Sequence, residues 1–194
     1  MSSTSTADVD LVGEEMALNV ARTALFAALM GAFAYVSFPY PLSPAPITLQ
    51  VLGVFLAGLM LGPVWGGAAM VLYLLAGALG APVFSMGTAG IGELLGPTGG
   101  YLFSYPIAAA LAGVIAHGGL GMRPLADAST TRLVGAMSAA VLVIYGLGVP
   151  FLWYNLDMTL RTAVVTGAVV FVPAEAVKMA AAIGIIRSDA IRAE

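Results

Sequence analysis

Glu175 and Lys178 interrupt the apolar run VVFVPAEAVKMAAAIGII, and Lys178 is the only lysine of the chain. Residues three apart share one face of a helix, so the two charges can pair. Ionisable groups in such a run are costly; where retained, they face a bundle interior or a water-filled cavity. A carboxylate beside an ammonium can offer acceptors and donors to one small polar ligand. The same pair could relay a proton, or simply pin the helix. Pro173 fits the first turn of this helix. Glu175 then stands where the helix dipole favours negative charge, whereas Lys178 is opposed by the dipole and needs an anion. At 1.5 Å per residue Lys178 lies roughly 7–8 Å beyond Pro173.

The elements that position this pair follow from composition. The chain has 194 residues, 60% hydrophobic and 9% charged, with mean hydropathy +1.00. A soluble domain carries roughly 25% charged residues. An integral membrane protein with one helical bundle is predicted. A net charge of -3 without a basic cluster argues against nucleic-acid binding. There is no cysteine, and the single His117 has no second histidine for a zinc pair; neither a metal nor a cofactor is expected. P-loop, nucleophile-elbow and HExxH motifs are missing, so no enzyme activity is expected and ATP hydrolysis would need another subunit.

Six apolar segments are expected, at about residues 17–38, 47–61, 64–79, 100–116, 133–152 and 173–186. A spanning helix needs ~20 residues, so the second and third fall short; Leu61-Gly62-Pro63 separates them. Continuous apolar runs do not suit the alternating strands of a membrane barrel. The predicted fold is an all-α bundle of six transmembrane helices over residues 17–194. Residues 1–16 are small, polar and acidic, lack the basic start of a secretory signal, and read as a disordered tail. With the N-terminus inside, Arg22, Arg123, Arg132, Arg187 and Arg192 lie on the cytoplasmic side and only Arg161 outside. That asymmetry predicts two cytoplasmic termini.

The loops differ in character. The outer loop PYPLSPAP, residues 39–46, holds four prolines and must be stiff. The outer loop GAPVFSMGTAGIGELLGPTGG, residues 80–100, is rich in glycine, which lets backbone approach a ligand closely. Irregular backbone at membrane depth is tolerated where it lines a cavity. Glu93 is the only charge of that loop and is as compatible with solvation as with ligand contact. Tyr73, Phe84, Tyr101, Tyr105 and Trp65 are candidates for an apolar wall. Residues 153–170 read as an outer connection with a short interfacial helix. Ala17, Ala21, Ala24, Ala28 and Ala32 place small side chains mostly on one face of the first helix, fit for close packing inside the bundle or against a partner.

PAPITLQVLGVFLAGLMLGP (residues 44–63), YLLAGALGAPVF (73–84), GIGELLGPTGGYLFSY (90–105) and FVPAEAVKMAAA (171–182) occur in this order. The set resembles the BioY family of biotin transport proteins over nearly the whole chain after the tail. The resemblance implies an S component of an energy-coupling factor (ECF) transporter in the cell membrane, which captures biotin from outside. Its implied partners are a transmembrane T component and two cytoplasmic ATPases. By that resemblance Glu175 and Lys178 are the acidic residue and lysine of the sixth helix. Thr48 and Gln50 fall in the PITLQ motif, and Gly96 and Tyr101 in the glycine-rich motif. Tyr73 and Phe84 complete the expected ligand wall, and Ala24 and Ala28 match the docking face for the T component. The family usually has aspartate where this chain has Glu175, and often glycine where it has Ala174, so the longer carboxylate sits differently. Another vitamin as ligand, or a self-contained secondary transporter using the pair as a proton relay, are the alternative readings.

Overall fold

The computed structural model of the chain describes residues 11–125 and 128–188. In order these form α1 (Leu11–Tyr35), β1 (Ser37–Phe38), β2 (Ile47–Thr48), α2 (Gln50–Ala78), α3 (Ile91–Leu95), α4 (Gly99–His117), α5 (Thr130–Asn155), α6 (Leu160–Gly167) and α7 (Val172–Arg187). Among the described residues, five helical stretches are long and apolar enough to cross a membrane. The proline-rich loop is pinched at its base by the antiparallel pair β1–β2, with Ser37 opposite Thr48. The expected outer connection contains α6, capped by Thr159, whose side chain accepts from the Thr162 N–H.

Helix α2 is one of these stretches, yet it folds back on itself. A straight helix would hold Gln50 and Tyr73 roughly 34 Å apart. Instead Gln50 Nε2 donates to the Tyr73 hydroxyl at 2.8 Å. The turn is Gly62, at φ 76° and ψ -177°, a conformation open to glycine. Pro63 follows it and cannot donate a helical hydrogen bond. Residues 50–61 and 63–78 therefore run antiparallel, as the Leu61-Gly62-Pro63 break predicts.

The break is sealed from outside the hairpin. In a continuous helix the carbonyl of Leu59 would accept from the N–H of residue 63, which proline lacks. His117, at the C-terminal end of α4, puts Nε2 3.0 Å from that carbonyl. A carbonyl only accepts, so Nε2 carries the proton, and Nδ1 accepts the Arg123 N–H at 3.0 Å. The lone histidine is thus a cap for a broken helix. His117→Ala strips a donor from the buried Leu59 carbonyl and an acceptor from the partly buried Arg123 N–H. Each unsatisfied group costs about 1–3 kcal/mol, so the unfolding midpoint in detergent should fall by several degrees. An unchanged midpoint would contradict the capping role.

Helix α2 packs between α1 and α4, and α4 packs on α5. Small residues make the approach close: a Cβ added at Gly113 of α4 would meet the Pro63 nitrogen at 2.6 Å. Helix α1 turns Thr23, Ala27, Met30, Gly31 and Ala34 inward, whereas Ala17, Ala21, Ala24, Ala28 and Ala32 are all exposed. The small-residue face is therefore not the face with which α1 joins the bundle. Helix α1 also begins at Leu11, six residues before the expected first segment. The rest of the expected tail, residues 1–10, and Arg192 lie outside the described residues.

Candidate functional site

A half-enclosed cavity of about 660 Å³, its open mouth included, lies at one end of the bundle. Its floor is the start of α7. Pro173 lies in the first turn of α7, and the side chains of Glu175 and Lys178 point into the bundle with 4% and 6% of their surface exposed. Lys178 Nζ donates to Glu175 Oε1 at 2.8 Å, and the Tyr145 hydroxyl donates to the same oxygen at 3.2 Å. The second carboxylate oxygen, Oε2, is buried without a hydrogen-bond partner among the described residues. A buried acceptor left unpaired is costly. Lys178 carries three N–H bonds, and the carboxylate takes one. This corner holds an unused acceptor beside unused donors.

Thr48 and Gln50 form a second polar corner where β2 enters α2, and both line the cavity. Thr48 Oγ1 accepts the Gln50 N–H at 3.2 Å and donates to Gln50 Oε1 at 3.1 Å. Tyr73 stands behind this corner: it holds the Gln50 amide and meets Phe84 edge-on at 5.5 Å between ring centres, but it does not line the cavity. Phe84, Tyr101 and Tyr105 do. Trp65 does not reach the cavity wall, and neither does Gly96. The glycine-rich motif works instead through close packing. A Cβ at Gly99 would strike the Leu94 carbonyl, and one at Gly100 would strike the Leu147 carbonyl.

Tyr101 is fixed at both ends. Its ring lies directly against Gly148, where a Cβ would overlap three ring atoms. Its hydroxyl donates to the Gly167 carbonyl at 2.8 Å. The ring meets Tyr145 edge-on at 6.3 Å, and Tyr145 stacks on Phe171 at 6.5 Å. Tyr40 of the proline loop packs on Phe171 at 5.6 Å, with its hydroxyl 3.4 Å from the Val170 carbonyl.

Sequence reasoning missed Ile144, Tyr145 and Phe171 as lining residues. Tyr145 is one tyrosine in a long apolar helix, and its spacing alone does not mark it. Glu93, left undecided between solvent and ligand, lines the cavity from α3. Arg132 and Arg187 sit at the far end, where Arg132 Nε donates to the Ile115 carbonyl and Arg187 Nη2 to Thr130 Oγ1. Helix α4 carries Tyr101 at one end and His117 at the other, so the cavity and this basic end are separated by about 24 Å.

The BioY family profile matches residues 3–193. A "Biotin transporter BioY" of Thermotoga maritima is 35% identical over 161 residues, covering 83% of this chain and 89% of that protein. Another of Rhodobacter capsulatus is 41% identical over 140 residues, covering 71% and 70%. A crystal structure of the S-component for biotin from an ECF-type ABC transporter superposes with a TM-score of 0.81, over 99% of this chain and 96% of that one, at 22% identity. The bundle with its folded-back second helix is therefore a fold already seen in a solved structure. The profile covers every element that walls the cavity, and so the chain belongs to the BioY family.

Proposed function

We propose that this protein is the biotin-binding S component of an energy-coupling factor transporter. The observation that carries the reading is the Glu175–Lys178 corner, buried in an apolar-walled cavity of a BioY-family chain. Biotin offers what this corner lacks. Its ureido group has two N–H donors and a carbonyl, its tail ends in a carboxylate, and its bicycle is apolar. Glu175 Oε2 accepts a ureido N–H, and the free N–H bonds of Lys178 go to a ligand oxygen. Phe84, Tyr101 and Tyr105 cover the apolar rings, while Thr48 and Gln50 supply polar contacts across the cavity. Tyr73 and Gly96 act one layer out, through Gln50 and through loop packing. Biotin is cargo in this reading, with no cofactor and no enzymatic step.

In the cell membrane the hairpin arms of α2 count as two short crossings, which makes six with α1, α4, α5 and α7. Arg123, Arg132 and Arg187 gather at the end opposite the cavity. The excess of arginine at cytoplasmic flanks then supports an outward-facing cavity and cytoplasmic termini. The chain has no nucleotide-binding motif, so ATP-driven import would draw on partner subunits, a T component and two ATPases. The exposed Ala24 and Ala28 offer a flat face for close helix docking.

Isothermal titration of the purified protein with biotin, thiamine and riboflavin tests the ligand. Saturable binding of biotin alone is expected. Binding of another vitamin, or none, would reject the reading. For the partner, a double Ala24→Trp, Ala28→Trp variant should keep biotin binding yet no longer co-purify with the T component and ATPases. Co-purification at the wild-type yield would remove this face from the docking surface.

A further inference from the structure

Among the described residues, three charged side chains line the cavity: Glu93, Glu175 and Lys178. Lys178 and Glu175 neutralise one another at 2.8 Å. Glu93 is left over, so the lining carries a net charge of -1. This matters for a ligand whose flexible tail ends in a carboxylate. A like charge in a partly desolvated pocket disfavours an anion, and the effect grows as water is excluded.

Glu93 is not on a drifting loop. The Gly90 N–H donates to the Gly77 carbonyl at 2.7 Å, which ties the start of α3 to the end of α2. Leu94, the next residue, is buried, and its carbonyl lies directly under Gly99 of α4. The backbone on either side of Glu93 is thus anchored, which keeps the residue at the cavity wall. Glu93 itself is only partly buried, which suits a position toward the open side rather than the floor held by Glu175 and Lys178.

We propose that Glu93 sets the charge preference of the pocket at the ligand tail, shifting selectivity from the free acid toward biotin derivatives with an uncharged tail, such as primary amides. The inference rests on the biotin reading and names the tail chemistry that this wall favours. In such a pocket the ring system is held at the floor, and the tail passes Glu93 on its way to the mouth.

The test is titration of wild type, Glu93→Gln and Glu93→Lys with biotin and with biotinamide, in matched buffer at neutral pH. Both substitutions leave Leu94 and the glycine anchors in place. The ratio of the two dissociation constants, acid over amide, should fall at least fivefold in Glu93→Gln and further in Glu93→Lys. An unchanged ratio in both variants, with biotin still bound, would overturn the role of Glu93 and leave the biotin reading intact. If the folded wild type binds neither ligand, the biotin reading fails and the inference falls with it.

Discussion

Lys178→Ala should lower biotin affinity at least tenfold, about 1.4 kcal/mol, and destabilise the protein as well. The two effects have separate causes. Glu175 is 4% exposed, and without Lys178 its carboxylate keeps only the Tyr145 hydroxyl at 3.2 Å. Removing one member of a buried ion pair typically costs about 3–5 kcal/mol, because the other charge is left uncompensated. The affinity loss comes from the donors that Lys178 would otherwise direct at the ligand. A Glu175→Ala, Lys178→Ala double variant separates the two: the unfolding midpoint should recover most of its loss, while biotin binding stays weak. Thermal scans and titration of wild type and the two variants read this directly. Wild-type affinity in folded Lys178→Ala would remove the lysine from the site.

Gly148→Ala should damage the cavity wall through a single added methyl. The added Cβ would overlap Tyr101 at Cδ1, Cε1 and Cγ. The ring has no easy retreat, because its hydroxyl is held by the Gly167 carbonyl at 2.8 Å. A Cβ at Gly167 would itself approach that hydroxyl to 2.6 Å. Overpacking of this kind costs about 1–3 kcal/mol. The strain should displace Tyr101 from the cavity wall and weaken biotin binding roughly tenfold, about 1.4 kcal/mol. Tyr101→Phe provides the contrast: it gives up one hydrogen bond, keeps the ring, and should change affinity much less. Similar affinities for the two variants would mean that the ring's position does not matter to the ligand.

These residues were not equally legible in the sequence. Glu175 and Lys178 stand out because charges in an apolar run have few explanations, and Pro173 fixes which end of the helix they occupy. The α2 hairpin is legible for a similar reason: proline after glycine cannot continue a helix without losing a hydrogen bond. The role of His117 is not, since its acceptor is the Leu59 carbonyl on another helix. Nor is that of Tyr145, whose hydroxyl matters only once α5 meets α7. Glu93 reads ambiguously because a loop carboxylate is usually solvated; that it lines the cavity depends on the Gly90–Gly77 tie and the burial of Leu94, which its own sequence does not show. Gly96 and Trp65 lie off the cavity lining. Motif membership and aromatic character placed them near a ligand, whereas the glycine-rich segment acts by letting α4 approach Leu94 and α5. Helix α1 starts early because Leu11–Met16 continues the helix despite its two glutamates, Glu14 and Glu15.

The hydrogen bond between Gln50 and Tyr73 also bears on biogenesis. Each arm of the α2 hairpin is shorter than the ~20 residues that span a bilayer unaided. Gln50 alone would bring an unpaired amide into lipid, and Tyr73 an unpaired hydroxyl. Joined, the two polar groups satisfy each other at 2.8 Å and the arms present mostly apolar surface. The translocation machinery would therefore have to release them as a paired unit, so that the Gln50 corner of the cavity is set at the moment of membrane entry.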